Sequence, residues 1–207
     1  HVIGLIGIVF FDKTLFASLS VYNLLLMFLL ILYTQQKINL AFILFLLLCF
    51  TTGFITEVIG VSTGYLFGNY HYGNTLGLKV RDVPLIIGIN WFIVVYCCGI
   101  TIHTFLNKLS QNADELQPRP ALKAASVILD GALLAVLFDW LIEPVAVKLG
   151  YWAWEGDIPW LNYWCWFMIS ALLLVIFYKA GFPKQNKFAI HLLLIQAMFF
   201  LLLRTLL

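Results

Sequence analysis

Apolar residues run along this chain in long blocks, each closed by a short polar cluster. The blocks are longer than the alternation of a strand or the one-faced stripe of a soluble helix. Val2 to Phe11 is the first and ends at Asp12-Lys13. It is about half the ~20 residues a membrane span needs, so it reads as the second half of a first transmembrane helix. The chain starts at His1 rather than Met, which fits a missing N-terminal piece. Span two runs from about Leu15 to Tyr33 and stops at Gln35-Gln36-Lys37. Span three takes Asn39 to Gly60, and a glycine- and aromatic-rich loop follows to about Val83. Pro84 suits the first turn of span four, which continues to about Leu106. Asn107 to Pro120 is the one conventionally polar loop, with Pro118 and Pro120 as breakers. Span five covers about Ala121 to Val147, and Pro144 is expected to kink or end it. Span six closes near Gly181-Phe182-Pro183, and span seven takes Phe188 to Leu207. The pattern predicts an all-α integral membrane protein: one polytopic domain over residues 1–207, built as a bundle of about seven transmembrane helices.

Composition agrees. The chain is 63% hydrophobic and only 11% charged, against about 25% charged in soluble domains. Its mean hydropathy is +0.98. A formal charge of +2 is too small to point to a nucleic-acid partner. Cys49, Cys97, Cys98 and Cys165 lie in or beside apolar runs without metal-ligand spacing and read as buried thiols. Alternating spans put Lys37, Lys108, Arg119, Lys123, Lys179, Lys184 and Lys187 on one side, with Asp114 and Glu115. Lys13, Lys79, Arg81, Lys148 and Arg204 fall on the other side, among most of the acids. The positive-inside rule makes the first side cytoplasmic. The expected location is a bacterial cytoplasmic (inner) membrane.

Carboxyl groups in such spans are costly, about 2.5–3.5 kcal/mol each at mid-helix if charged. Glu57 ends span three with no Lys or Arg within ten positions. Gly53, Glu57, Gly60 and Gly64 follow an i, i+4, i+7, i+11 pattern, a small-residue face suited to helix contact. Asp139 and Glu143 are i, i+4 near the end of span five and share a face with Ala132, Ala135 and Ala146. Asn90 begins span four and Asn162-Tyr163 begin span six. Alternation therefore brings Glu57, Asn90, Asp139, Glu143, Asn162 and Tyr163 to one membrane face. Crowded acids in a low dielectric favour a neutral carboxyl, a proton donor, and Glu57 is the first choice for that role. Aromatic rings cluster in the same stretches: Tyr65, Tyr70, Tyr72 and Trp91, then five tryptophans between Tyr151 and Trp166. Ring faces attract positive charge, as a carbocation would require. Against this stand buried structural acids and an ordinary interfacial aromatic belt. Asp130 falls on the opposite face of span five from Asp139, and Arg204 reads as an interfacial charge or a counter-ion to an acid.

The runs GFITEVIGVSTGYLFGNYHYGNTLG, DVPLIIGINW and LDGALLAVLFDWLIEPVAVKLGYWAWEGDIPWLNYWCWF resemble the membrane-bound carotenoid hydratase family of the CruF type. The resemblance covers about residues 50 to 167. It implies water addition across the terminal 1,2 double bond of a carotenoid ψ-end, on lycopene- or γ-carotene-like substrates. Glu57, Asn90, Asp139, Glu143 and Asn162 stand in the matching motifs and are the expected catalytic residues. Tyr65, Tyr70, His71, Trp91, Tyr163 and Trp166 are the expected substrate-binding ones. The resemblance implies no metal and no cofactor; the expected partners are a carotenoid dissolved in the bilayer and the lipids themselves. A carotenoid cyclase would use the same cation, captured by a neighbouring double bond. A prenyltransferase would need aspartate-rich magnesium motifs, and Asp139–Glu143 has the wrong spacing. A proton-coupled transporter also uses intramembrane acids.

Overall fold

A computed structural model describes residues 1–112 and 120–207. The helices are α1 (Val2–Phe10), α2 (Lys13–Ser18), α3 (Ser20–Thr34), α4 (Leu40–Thr63), α5 (Ile86–Asn112), α6 (Pro120–Lys148), α7 (Trp160–Lys179) and α8 (Lys187–Leu206). Four short strands join them: β1 (Tyr70–Tyr72), β2 (Lys79–Val80), β3 (Val83–Pro84) and β4 (Trp152–Trp154). Helices α2 and α3 run on as one rod, Lys13–Thr34. Among the described residues, six helical stretches are long and apolar enough to cross a membrane. The protein is an all-α membrane bundle with aliphatic side chains such as Leu44, Leu47 and Leu48 on its outer surface, as lipid requires.

Six long spans and one short N-terminal helix agree with the expected bundle of about seven helices. Helix α1 has nine residues and rises only about 13 Å, less than half the hydrocarbon thickness. It packs on α2 and α8, with Gly7 against the Phe16 ring, where a Cβ would overlap. Asp114, Glu115, Pro118 and Arg119 lie outside the described residues.

Helix α5 is the centre: 72% of its apolar stretch is buried, against 17–39% in the other spans. It contacts α3, α4, α6, α7 and α8. Helix α4 starts on an Asn39 cap that accepts from Phe42 N at 3.0 Å. It ends at Gly64, which takes the left-handed conformation (φ 68°) open to a residue without Cβ. Its buried stripe is Phe42, Phe45, Cys49, Gly53, Glu57 and Gly60. Gly53 admits the Trp91 ring of α5; a Cβ there would overlap it.

One expectation about prolines changes and the other narrows, since Pro144 does not end its helix. Pro84 lies in β3, and α5 starts at Ile86. Helix α6 continues through Pro144 to Lys148. Proline removes the N–H that would bond the Trp140 carbonyl. Arg204 Nη1 of α8 donates to that carbonyl at 3.5 Å, with its guanidinium 4.1 Å from the Trp140 ring. A neighbouring helix thus supplies the missing donor, which is how membrane helices tolerate proline.

The loop after α4 contains the element that the apolar pattern concealed. Strand β1 pairs antiparallel with β4, in the register Tyr70–Trp154, His71–Ala153 and Tyr72–Trp152. Gly73 N donates to Tyr151 O at 2.9 Å, and Glu155 N to Asn69 O at 3.0 Å, extending the ladder. Paired residues face the same side of a sheet and alternate along it. Tyr70, Tyr72, Trp152 and Trp154 therefore share one face, and His71 is on the other.

Candidate functional site

That aromatic face closes one end of the bundle over the acids. Glu57, Asp139, Glu143 and Asn162 are 5%, 4%, 2% and 2% exposed. Tyr70 Oη donates to Glu57 Oε2 at 2.5 Å and Tyr72 Oη to the same oxygen at 2.7 Å. Trp91 Nε1 donates to Glu57 Oε1 at 3.0 Å. Glu143 Oε2 accepts from Trp152 Nε1 at 2.9 Å and Trp154 Nε1 at 2.8 Å. Asp139 Oδ2 accepts from Asn162 Nδ2 at 2.8 Å. Every donor is a neutral phenol, indole or amide. Among the described residues, no Lys, Arg or His side chain bonds any of the three carboxyls. Burial, and then the nearby Glu57 carboxylate, push the Tyr70 and Tyr72 phenols well above their ordinary pKa. Both therefore stay protonated donors across the physiological range.

The acids surround a space of about 30 Å³, above the ~10–15 Å³ that a water needs. Glu57, Asn90, Asp139, Glu143 and Asn162 all line it, as do Tyr70, Trp91 and Trp166. Trp91 stacks on Trp166 at 3.9 Å between centroids and 9° between planes. The structure thus brings together the five residues expected to be catalytic and three of the six expected to bind substrate.

The other three lie elsewhere. Tyr65 is 82% exposed, just beyond the Gly64 cap, where the chain has left the helix. His71 is turned outward by the strand alternation. Tyr163 is half-buried, its ring edge-on to Trp160, and lines neither the acid space nor the larger cavity beside it. Tyr72, Trp152 and Trp154, expected only as ring faces, also donate hydrogen bonds to Glu57 and Glu143. The available signal for this was two aromatic-x-aromatic triplets, Tyr70-His71-Tyr72 and Trp152-Ala153-Trp154, each with strand period. Asp130 is exposed and bonded by Ser126, away from the site.

A larger cavity of about 270 Å³ adjoins the acid space; Ile87, Asn90 and Trp152 line both. Its wall is mostly aliphatic and phenyl, and it includes Ile3, 78% exposed, and Leu19, 41% exposed, on the outer surface of the bundle. Among the described residues no three His, Cys, Asp or Glu side chains are grouped to hold a metal ion.

Residues 18–207 match the family described as carotenoid biosynthesis protein. The bisanhydrobacterioruberin hydratase of Haloarcula japonica is 27% identical over 138 residues, covering 63% of this chain and 42% of that enzyme. The chain therefore spans about two fifths of that relative's length. No solved structure matches it.

Proposed function

The chain belongs to the carotenoid biosynthesis protein family, and from that premise we propose that it is a hydratase adding water across the terminal 1,2 double bond of a ψ-end carotenoid. One observation carries the reading. Three buried carboxyls, without a basic partner among the described residues, sit among indole and phenol rings at the end of an apolar cavity that reaches the lipid-facing surface. The distant similarity to a carotenoid hydratase supports the same reaction class.

Hydrogen-bond partners divide the roles. Glu57 receives three donors, an environment that suits a fixed anion. Asp139 receives one, so it is assigned proton delivery in place of Glu57. Its proton adds to C2, the 1,2 π-bond supplies the electron pair, and a tertiary cation forms at C1. The Trp91–Trp166 stack, Tyr70 and Trp154 present ring faces to that charge, and Glu57 opposes it electrostatically. Asn90 lines both spaces, and its side chain has no hydrogen bond among the described residues, so it is placed to hold the attacking water. The water oxygen bonds C1 and its surplus proton passes to Glu143. Return of that proton to Asp139, one helical turn away, restores the site. The sum is alkene plus water to tertiary alcohol, with no step through a metal or cofactor.

The substrate class, a lycopene- or γ-carotene-like chain drawn from the lipid, and the bacterial cytoplasmic membrane are parts of this proposal. Expression in a lycopene-producing host tests it. The pigment should gain the mass of one water, whereas a ring-containing isomer of unchanged mass would make the protein a cyclase.

A further inference from the structure

We propose that Asn23 and Gln196 hold the reserve of water that feeds the attacking position beside Asn90, as part of a polar stripe along one wall of the larger cavity. The assignment rests on the hydration reading and adds the source of the nucleophile. Ser20, Asn23 and Met27 follow i, i+3, i+7 spacing on α3, and all three line the cavity. Ser20 Oγ is engaged, 2.5 Å from the Tyr151 hydroxyl. Asn23 lines the same wall, and its side chain makes no hydrogen bond among the described residues. Gln196 of α8 is 4% exposed. Among the described residues its Nε2 donates only to the Met27 thioether at 3.4 Å, and its Oε1 has no partner. Exchanging the two ends of the amide leaves the same deficit, because sulfur is a weak partner for either.

Two under-bonded amides in a wall of Leu, Ile and Phe serve no packing purpose that leucine would not serve better. They suit a small ligand that both donates and accepts. Water fits: it needs two to four polar partners and only about 10–15 Å³, and the cavity offers about 270 Å³. The stripe also leads to the chemistry. Tyr151 precedes Trp152, whose indole bonds Glu143, and Asn90 borders both spaces. Supply matters because the cation has two fates. If water is in place, its oxygen bonds C1 and a proton passes to Glu143. If not, C2 or an adjacent methyl loses a proton to a carboxylate and the alkene re-forms. Asn23 and Gln196 are thus positioning residues, acting through the water.

Partition between these fates is the test. Purified protein in lipid nanodiscs is given lycopene in deuterated water, and mass spectrometry follows both hydrated product and deuterium in recovered alkene. Gln196→Leu and Asn23→Leu should each lower hydration about tenfold or more. Deuterium uptake into the alkene should persist or rise, with KM within about twofold of the parent. If Gln196→Leu does not fold, Gln196→Met, closer in shape, and Asn23→Leu carry the same readout. Loss of hydration and exchange in equal measure, or no change in either, overturns the assignment. A raised KM at unchanged partition would give the amides to a hydroxyl on the chain, and also overturns it. Absence of any hydrated product from the parent protein would remove the hydration reading itself and this assignment with it. An active parent whose variants keep the same partition removes the water site alone.

Discussion

Glu57, Asp139 and Glu143 carry the same functional group and differ in what bonds it. With three donors on Glu57 and one on Asp139, their variants should fail in different ways. Asp139→Asn removes the transferable proton and keeps the shape, so turnover should fall by about 10²–10⁴-fold while folded yield stays near normal. Glu57→Gln sets an amide N–H against donors already in place, which costs about 1–3 kcal/mol of stability as well as rate. Thermal unfolding and pigment conversion, measured on both variants, separate the two; a stable, inactive Glu57→Gln beside an active Asp139→Asn would reverse the assignment. Which residues stand at this site was largely legible in the sequence, because a carboxyl in an apolar run is conspicuous and helix alternation fixes its depth. Side-chain direction outside the helices was not. Tyr65, Tyr70, His71 and Tyr72 lie within eight residues, and the phase of a three-residue strand decides which of them point inward.

At the scale of elements, the two-stranded strap delivers four of the five aromatic donors to the acids. Its pairing joins residues eighty or more positions apart, and no local pattern announces such a partner. Burial raises the pKa of Tyr70, Tyr72 and Tyr151 above the unfolded value of about 10. A raised folded value means that their stabilisation is whole below pH 10. It is lost above that as the unfolded phenols ionise first, with a slope of about 1.4 kcal/mol per pH unit per tyrosine. Stability against unfolding in detergent should therefore fall steeply from about pH 10 upward, and Tyr70→Phe with Tyr72→Phe should make that decline shallower. An unchanged slope in the double variant would mean that these phenols titrate normally. The Pro144 break offers a second check. Arg204→Met should destabilise the parent by about 1–2 kcal/mol, since it strands the Trp140 carbonyl. In a Pro144→Ala background the helix supplies its own N–H, and the same change should cost distinctly less. Equal costs in both backgrounds would reduce Arg204 to its contact with the Trp140 ring.

For the molecule as a whole, the central burial of α5 explains how acids from α4 and α6 reach one space: each lies beside α5, which presents Asn90 and Trp91 between them. The number of helices followed from apolar length, but the packing order did not, since every span is apolar all round and gives little facial information. That α1 contributes to a cavity wall was equally hidden, because its composition matches that of a span. One global property follows from charge. Lys37, Lys108, Lys123, Lys179, Lys184 and Lys187 gather at the end of the bundle away from the acids, and positive loops stay in the cytoplasm. The acid site and its strap should then face outward, with protons and water reaching it from the extracytoplasmic side. Single cysteines placed at Lys184 and at Asn74, in a background with Cys49, Cys97, Cys98 and Cys165 replaced, report this directly. A membrane-impermeant maleimide should label the Asn74 position in intact cells and the Lys184 position only after the membrane is opened. The reverse pattern would invert the protein in the bilayer and place the acid site on the cytoplasmic side, leaving its internal geometry unchanged.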